Sequence, residues 1–281
     1  MRQDAGEAAI RGMNTAVLWS PFFVSFAVGQ LYLPSQSAWL GIAFGLLVAL
    51  IFNLISVRFL IGRFTLIYLL ESISCVKPIF PRLLILSLSV LAVGQIFDKT
   101  ALNAIVIVIP ILVVVQMFRR PETTKAIMRN LKNLILKSGD EMLLISVSMF
   151  LGSILSGSVE IQNFISNNVG NNFPFWAMII LLPLIVWIFG LIGVHPIITS
   201  APILSLFGPL LSVWEAAFLM QAHLIGWCAG TAVSFTSLSV LTTAENFRLS
   251  ISKLVFGPNL IATGCLTFIG ALLLITLNYL L

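Results

Sequence analysis

Apolar residues run almost unbroken along this chain, and the few polar interruptions mark out its elements. From Arg11 to Arg58 there are 46 consecutive residues without a charge, and from Glu160 to Glu215 there are 54. Shorter uncharged runs separate Lys99 from Arg119 (19 residues), Glu141 from Glu160 (18) and Glu215 from Glu245 (29), and 28 residues follow Lys253. A helix needs about 20 apolar residues to cross a bilayer, so each of the two longest runs holds at least two spans. The 15 residues between Arg82 and Asp98 cross only with snorkelling or a thinned bilayer. Runs of this kind exclude an outer-membrane barrel, whose strands alternate apolar and polar residues.

The pattern predicts an all-α polytopic membrane protein with about eight or nine transmembrane helices. The expected spans lie near 13–33, 38–57, 83–97, 101–117, 142–159, 175–192, 197–211, 214–244 and 258–280, with 64–76 at the interface. Residues 197–211 end at Gly208-Pro209 and either cross or fold back as a re-entrant segment. Crossing keeps Arg248 and Lys253 inside. The polar start, Met1 to Gly12, leads into an apolar run too long for a cleaved signal peptide.

Composition agrees: 59% of residues are hydrophobic and 9% charged, where soluble domains carry about 25% charged residues. The net charge of +5 implies no nucleic acid, because six of the fifteen basic residues fall in one segment, Arg119 to Lys137, between apolar spans. By the positive-inside rule that segment is cytoplasmic, which places the N-terminus inside and the chain in the inner (cell) membrane. Ile127, Leu131 and Ile135 recur there at helical spacing, as in a helix lying on lipid headgroups. The expected organisation is an N-terminal membrane half (1–117), a cytoplasmic amphipathic linker (118–141) and a C-terminal membrane half (142–281). Cys75, Cys228 and Cys265 have no CxxC spacing and read as small buried side chains, with neither disulfide nor metal.

Two segments echo each other. Asn14-Thr-Ala-Val-Leu-Trp-Ser-Pro-Phe22 lies in the first expected span, and Gly230-Thr-Ala-Val-Ser-Phe-Thr-Ser-Leu238 in the penultimate one. Each Thr-Ala-Val runs into a hydroxyl-bearing interruption, and each is followed by a proline (Pro34, Pro258) and a further apolar helix. The expected topology sends the copies in opposite directions across the membrane. That is the pattern of an inverted repeat with two interrupted helices and a midplane site. Pro21 interrupts the first copy; the second interruption rests on its hydroxyls. The alternative is that these Ser and Thr side chains bond back to their own helices.

A third break is Gly193-Val-His-Pro196, with His195 at a position where a helix must stop. An ionisable group within a membrane points to function; the alternative is a histidine bonded to a loop carbonyl. The candidate substrate- or ion-binding residues are therefore Thr15, Ser20 and Pro21, Gly193 and His195, and Thr231, Ser234, Thr236 and Ser237. His223 and Glu215 share a helix, but Glu215 falls at the outer surface and makes no buried acid–base pair. With no acidic residue expected in the core and no metal-ligand cluster, the chain lacks the parts of an enzyme. No cofactor is expected beyond Na⁺ or H⁺ as a coupling ion.

The Gly193-Val-His-Pro196 turn, the Gly226-Trp227 pair and the hydroxyl-rich break after it resemble the C-terminal half of ion-transporter-superfamily permeases. That group includes dicarboxylate, citrate and gluconate permeases and the large membrane subunits of TRAP-type carriers. Trp19-Ser-Pro-Phe22 is similar to the break in the first repeat. The resemblance implies a secondary active transporter moving a small organic anion with Na⁺ or H⁺. Such permeases carry more helices ahead of the first break. The resemblance therefore implies a shortened chain, or a second copy or partner subunit that supplies the missing helices. Besides that partner, a small-molecule or ion substrate and membrane lipid are expected. The other reading is a non-transporting integral subunit or scaffold.

Overall fold

Pro21 has no N–H to donate and its ring collides with the carbonyl four residues back, so a helix entering from the N-terminus must stop before it. In the computed structural model it does. Helix α1 (Arg2–Thr15) tightens into a 3₁₀ turn at Ala16–Leu18, and α2 (Val24–Tyr32) restarts behind an extended Phe23. Leu33 is extended too, as a residue preceding proline must be. The structure describes residues 2–34, 37–60, 77–78, 80–97, 101–119, 121–167 and 174–280. The expected interfacial segment 64–76 lies outside them.

The remaining helices are α3 (Ser37–Leu60), α4 (Phe80–Ile96), α5 (Ala101–Arg119), α6 (Pro121–Gly157), α7 (Val159–Ile165), α8 (Phe175–Leu191), α9 (Pro196–Phe207), α10 (Val213–Ala232), α11 (Leu238–Phe247), α12 (Ile251–Phe256) and α13 (Pro258–Leu280). There is no strand among the described residues. Contacts gather residues 1–61 and 144–281 into one compact unit and 62–143 into another. Within the second, α4 and α5 pack as a hairpin around Val90, Ala104 and Val108.

Helix α10 is the pillar of the first unit. A capping box between Ser212 and Glu215 starts it, which accounts for Glu215 without His223. Every residue from Ala216 to Gly230 is buried, and α8, α13 and α3 pack around it. The α8–α10 approach is at backbone contact: a Cβ on Gly190 would lie 2.7 Å from Gly230 Cα, and one on Gly226 would lie 2.8 Å from Pro183 Cα. Small residues four apart are how helices approach closely where no water drives them together.

This unit exposes large apolar side chains and buries polar ones within an otherwise apolar core. Gln221, His223, Ser200, Ser205 and Asn259 are fully buried, while Leu50 on α3 is 58% exposed, Ile261 on α13 72% and Phe150 on α6 69%. Cys265 is exposed in an apolar groove between α3 and α13, which corrects its expected burial; Cys228 is enclosed, and Cys75 lies outside the described residues. Glu7 corrects a second expectation. It is buried with Arg11, because α1 starts at Arg2 and docks its polar start on α11 and α12.

By length and composition one helix, Pro258–Leu280, can cross a membrane among the described residues. The pair Ile145–Gly157 and Val159–Ile165, bent by 75° at Ser158, adds a second if counted as one span. The apolar stretches Phe175–Leu191 and Pro196–Leu210 are shorter, because the Gly193–His195 break divides their long apolar run. Twelve-residue α9 rises only about 18 Å. The expected linker and the span after it form one helix, α6, because nothing between Pro121 and Gly157 stops it.

Candidate functional site

Three chain breaks meet beside the C-terminal half of α10. The first follows α1, the second is the Gly193–His195 turn between α8 and α9, and the third is Val233–Ser237 between α10 and α11. Asn14, in the last turn of α1, joins the first to the third. Its Oδ1 lies 2.7 Å from Thr231 Oγ1, and its Nδ2 donates to Ser239 Oγ at 3.0 Å and to the Ile10 carbonyl at 2.8 Å. Thr231 also lies 2.7 Å from the Trp227 carbonyl, so its single hydroxyl hydrogen serves either Asn14 or its own helix.

The third break is built from hydroxyls, as its sequence suggests. Ser234 Oγ pairs with Thr236 Oγ1 at 3.0 Å, and Ser237 Oγ with Ser239 Oγ at 2.9 Å. Thr236 Oγ1 donates to the Gly193 carbonyl at 3.2 Å, tying this break to the turn after α8. Gly193 has φ +85°, a conformation that side-chain-bearing residues rarely adopt. His195 then caps α9: its Nδ1 accepts from the Ile197 N–H at 3.4 Å, and Pro196 occupies the first helical position. The Thr236–Gly193 bond thereby ties the chain just ahead of α9 to the chain just ahead of α11.

At the first break, Ser20 is buried and its Oγ accepts from the Phe22 N–H at 3.4 Å. Thr15 bonds back to the Gly12 carbonyl at 3.1 Å. Neither reaches the third break by a hydrogen bond; Asn14 makes that link. Thr199 and Ser200 likewise bond back to the Pro196 carbonyl.

Four positions outside the expected set complete the arrangement. Gln221, its amide nitrogen turned toward them, donates to the Gly41 carbonyl at 2.9 Å and to the Leu18 carbonyl at 3.3 Å. The second of these satisfies a carbonyl freed by the first break. His223 Nε2 lies 2.9 Å from the Ser25 carbonyl in the first turn of α2. Trp227 stands between the histidines, its ring 5.6 Å from His195 and 5.4 Å from His223, edge-on to each. Asn14 was legible as part of the echo. Trp227 was legible in the Gly226-Trp227 pair, and Gln221 and His223 as polar side chains within about two turns of it in an apolar helix.

Lower on α1, Arg11 donates to Asn259 Oδ1 at 2.8 Å and lies 3.7 Å from Glu7, with all three buried. Burial pulls the Arg11 guanidinium below its ordinary value while Glu7 opposes the shift, and it stays charged. No group of three or more metal-ligating side chains occurs among the described residues. Compared with protein families, curated proteins and solved structures, the chain matches none.

Proposed function

We propose that this chain is an integral, multi-pass membrane protein and a secondary transporter for a small organic anion, coupled to Na⁺ or H⁺. It lies in the cell membrane with its N-terminus in the cytoplasm. The membrane reading is supported by the large apolar side chains that the first unit exposes around its core, with a minority of polar side chains buried within. The shorter apolar helices and the broken ones then complete the eight or nine spans.

One observation carries the anion reading: the Thr236–Gly193 bond ties the chain just ahead of α9 to the chain just ahead of α11. Each helix start carries about half a positive charge, which suits a carboxylate or oxyanion. At α9, Pro196 has no N–H and the next two N–H groups bond back to His195, so the free donors are those of α11. Ser237 leaves the first N–H groups of α11 uncapped and turns to Ser239 instead. No acidic side chain faces this place in the described structure to compete for those donors. The resemblance to ion-transporter-superfamily permeases points the same way, and a carrier of this design needs no catalytic group.

The test is uptake by proteoliposomes against a panel of di- and tricarboxylates, with and without a Na⁺ or pH gradient. Gradient-driven uptake of one member is expected. Flat uptake across the panel from folded protein leaves the scaffold or subunit reading instead.

A further inference from the structure

Helices α3 and α13 both pack on α10 and hardly touch each other, which leaves an apolar groove of about 420 Å³ between them. Its wall on α13 recurs every three or four residues from Pro258 to Leu273, about 22 Å of helix. Ala262, Leu266 and Gly270 are its buried floor, and Ile261, Cys265 and Ile269 its exposed lip. The two walls run in opposite directions. On α3, Gly41 faces Met220 and Gly45 faces Gln221, so α3 descends with α10. On α13, Asn259 meets Arg11, one turn before the Asn14 that bonds Thr231, and Gly270 meets Ile225. Helix α13 therefore runs against α10, and Ser56 and Pro258 mark the same end of the groove.

We propose that this groove holds one acyl tail of an anionic phospholipid, with the head group at the end marked by Ser56 and Pro258. That end is cytoplasmic in the orientation proposed above, and charge is found only there. Helix α13 has no charged residue, and α3 has one, Arg58, two residues beyond Ser56. By position Arg58 continues the register of Ile51 and Ile55 along the groove wall. The chain entering α13 carries Arg248 and the exposed Lys253 against one acid, Glu245. Basic residues at the cytoplasmic end of a slot between membrane helices are what hold an anionic head group. A tail running from there to the midplane covers about 15 Å, half the hydrocarbon thickness, and fits within the groove. It passes Cys265, about 10 Å along α13 from Pro258. A second copy is the poorer occupant: a two-fold axis along the membrane normal would set the same basic end against itself.

The lipid site rests on the membrane reading and not on transport. Its test uses the full chain in nanodiscs doped with phosphatidylglycerol or phosphatidylcholine that carries a diazirine midway along one tail. After photolysis the adducts are mapped by mass spectrometry. Phosphatidylglycerol adducts should concentrate on residues 261–269 rather than on the equally exposed Leu50 and Phe150, and should exceed phosphatidylcholine adducts there. Lys253→Gln should cut that excess about fivefold, and so should Arg58→Gln, with labelling at Phe150 and the melting temperature unchanged. Ile261→Trp, at the exposed lip, should exclude both lipids from the groove. Equal adducts from the two lipids overturn the proposal, as do adducts spread evenly over all lipid-facing helices. So does a dimer in native mass spectrometry whose groove takes no label. A chain that alkaline carbonate washes off membranes sinks the membrane reading and this site together. A carbonate-resistant chain with an unlabelled groove sinks the site alone.

Discussion

Thr231 Oγ1 lies 2.7 Å from Asn14 Oδ1 across 217 residues of sequence. The two residues belong to the paired segments Asn14-Thr-Ala-Val and Gly230-Thr-Ala-Val, so the echo in the sequence meets itself in space. From there the first segment runs antiparallel to α10. Leu18 is bound by Gln221, Ser25 by His223, and Gly29 faces Met220.

The Asn14–Thr231 bond should couple measurably. Asn14→Ala removes one hydrogen bond each from Ser239 and Thr231, which keep Ser237 and the Trp227 carbonyl as partners, and is expected to cost about 0.5–1.5 kcal/mol. In a double-mutant cycle with Thr231→Ala, thermal or denaturant unfolding in detergent should give a coupling energy of about 0.5–3 kcal/mol. Strict additivity would mean that the breaks are not held together here.

Backbone contact between α8 and α10 makes Gly190 intolerant of a side chain. A Cβ there would lie 2.7 Å from Gly230 Cα and from the Gly230 carbonyl oxygen. Gly190→Ala should therefore destabilise by about 1–3 kcal/mol through overpacking. Gly139→Ala, with no atom within 4 Å of the added carbon, serves as the neutral control.

Gly193 fails for a different reason. The space around it is open, with Thr236 Cγ2 3.7 Å from an added Cβ, but its φ is +85°. Gly193→Ala should cost about 1–3 kcal/mol in backbone strain and displace the carbonyl that Thr236 uses. If its melting temperature equals that of the wild type, the turn does not hold this conformation in solution.

Ser234→Ala and His195→Ala test the site itself in the uptake assay. Ser234 orders Thr236 by accepting from its N–H at 3.4 Å, and His195 caps the start of α9. Loss of one such hydrogen bond, about 1.4 kcal/mol, corresponds to a tenfold fall in kcat/KM. Unchanged uptake in both removes the anion site from this place.

Arg11 and Glu7 should behave as a buried pair. Arg11→Met strands Glu7 and Asn259 and is expected to cost about 3–5 kcal/mol, whereas Arg11→Met with Glu7→Gln recovers part of the loss. A double variant no more stable than Arg11→Met shows that the pair carries no charge coupling.

Much of the architecture was legible. Pro21, Gly193 and Pro196 act on their own backbone, so the breaks they cause could be placed within a residue or two from sequence. The hydroxyl-rich stretch after Thr231 also marked a true interruption. Helix lengths were less legible, because whether α6 stops between linker and span is decided by neighbours rather than by propensity. The site was legible only in part. Thr15 and Ser20 bond within their own segment, and Asn14 makes the connection, since reaching another helix depends on which face the packing turns inward.

The amino-acid sequence alone determined that this is a helical chain whose few charges are sorted and whose apolar runs are broken at three places. Those properties follow from residue chemistry acting over a few neighbours. The tertiary structure decided that the breaks meet, that Gln221 and His223 serve the first of them, and that Glu7 is buried beside Arg11. These relations span up to 248 residues of chain, as Arg11 and Asn259 do. No local pattern encodes them; they follow from close packing of α1, α8 and α13 around one buried helix.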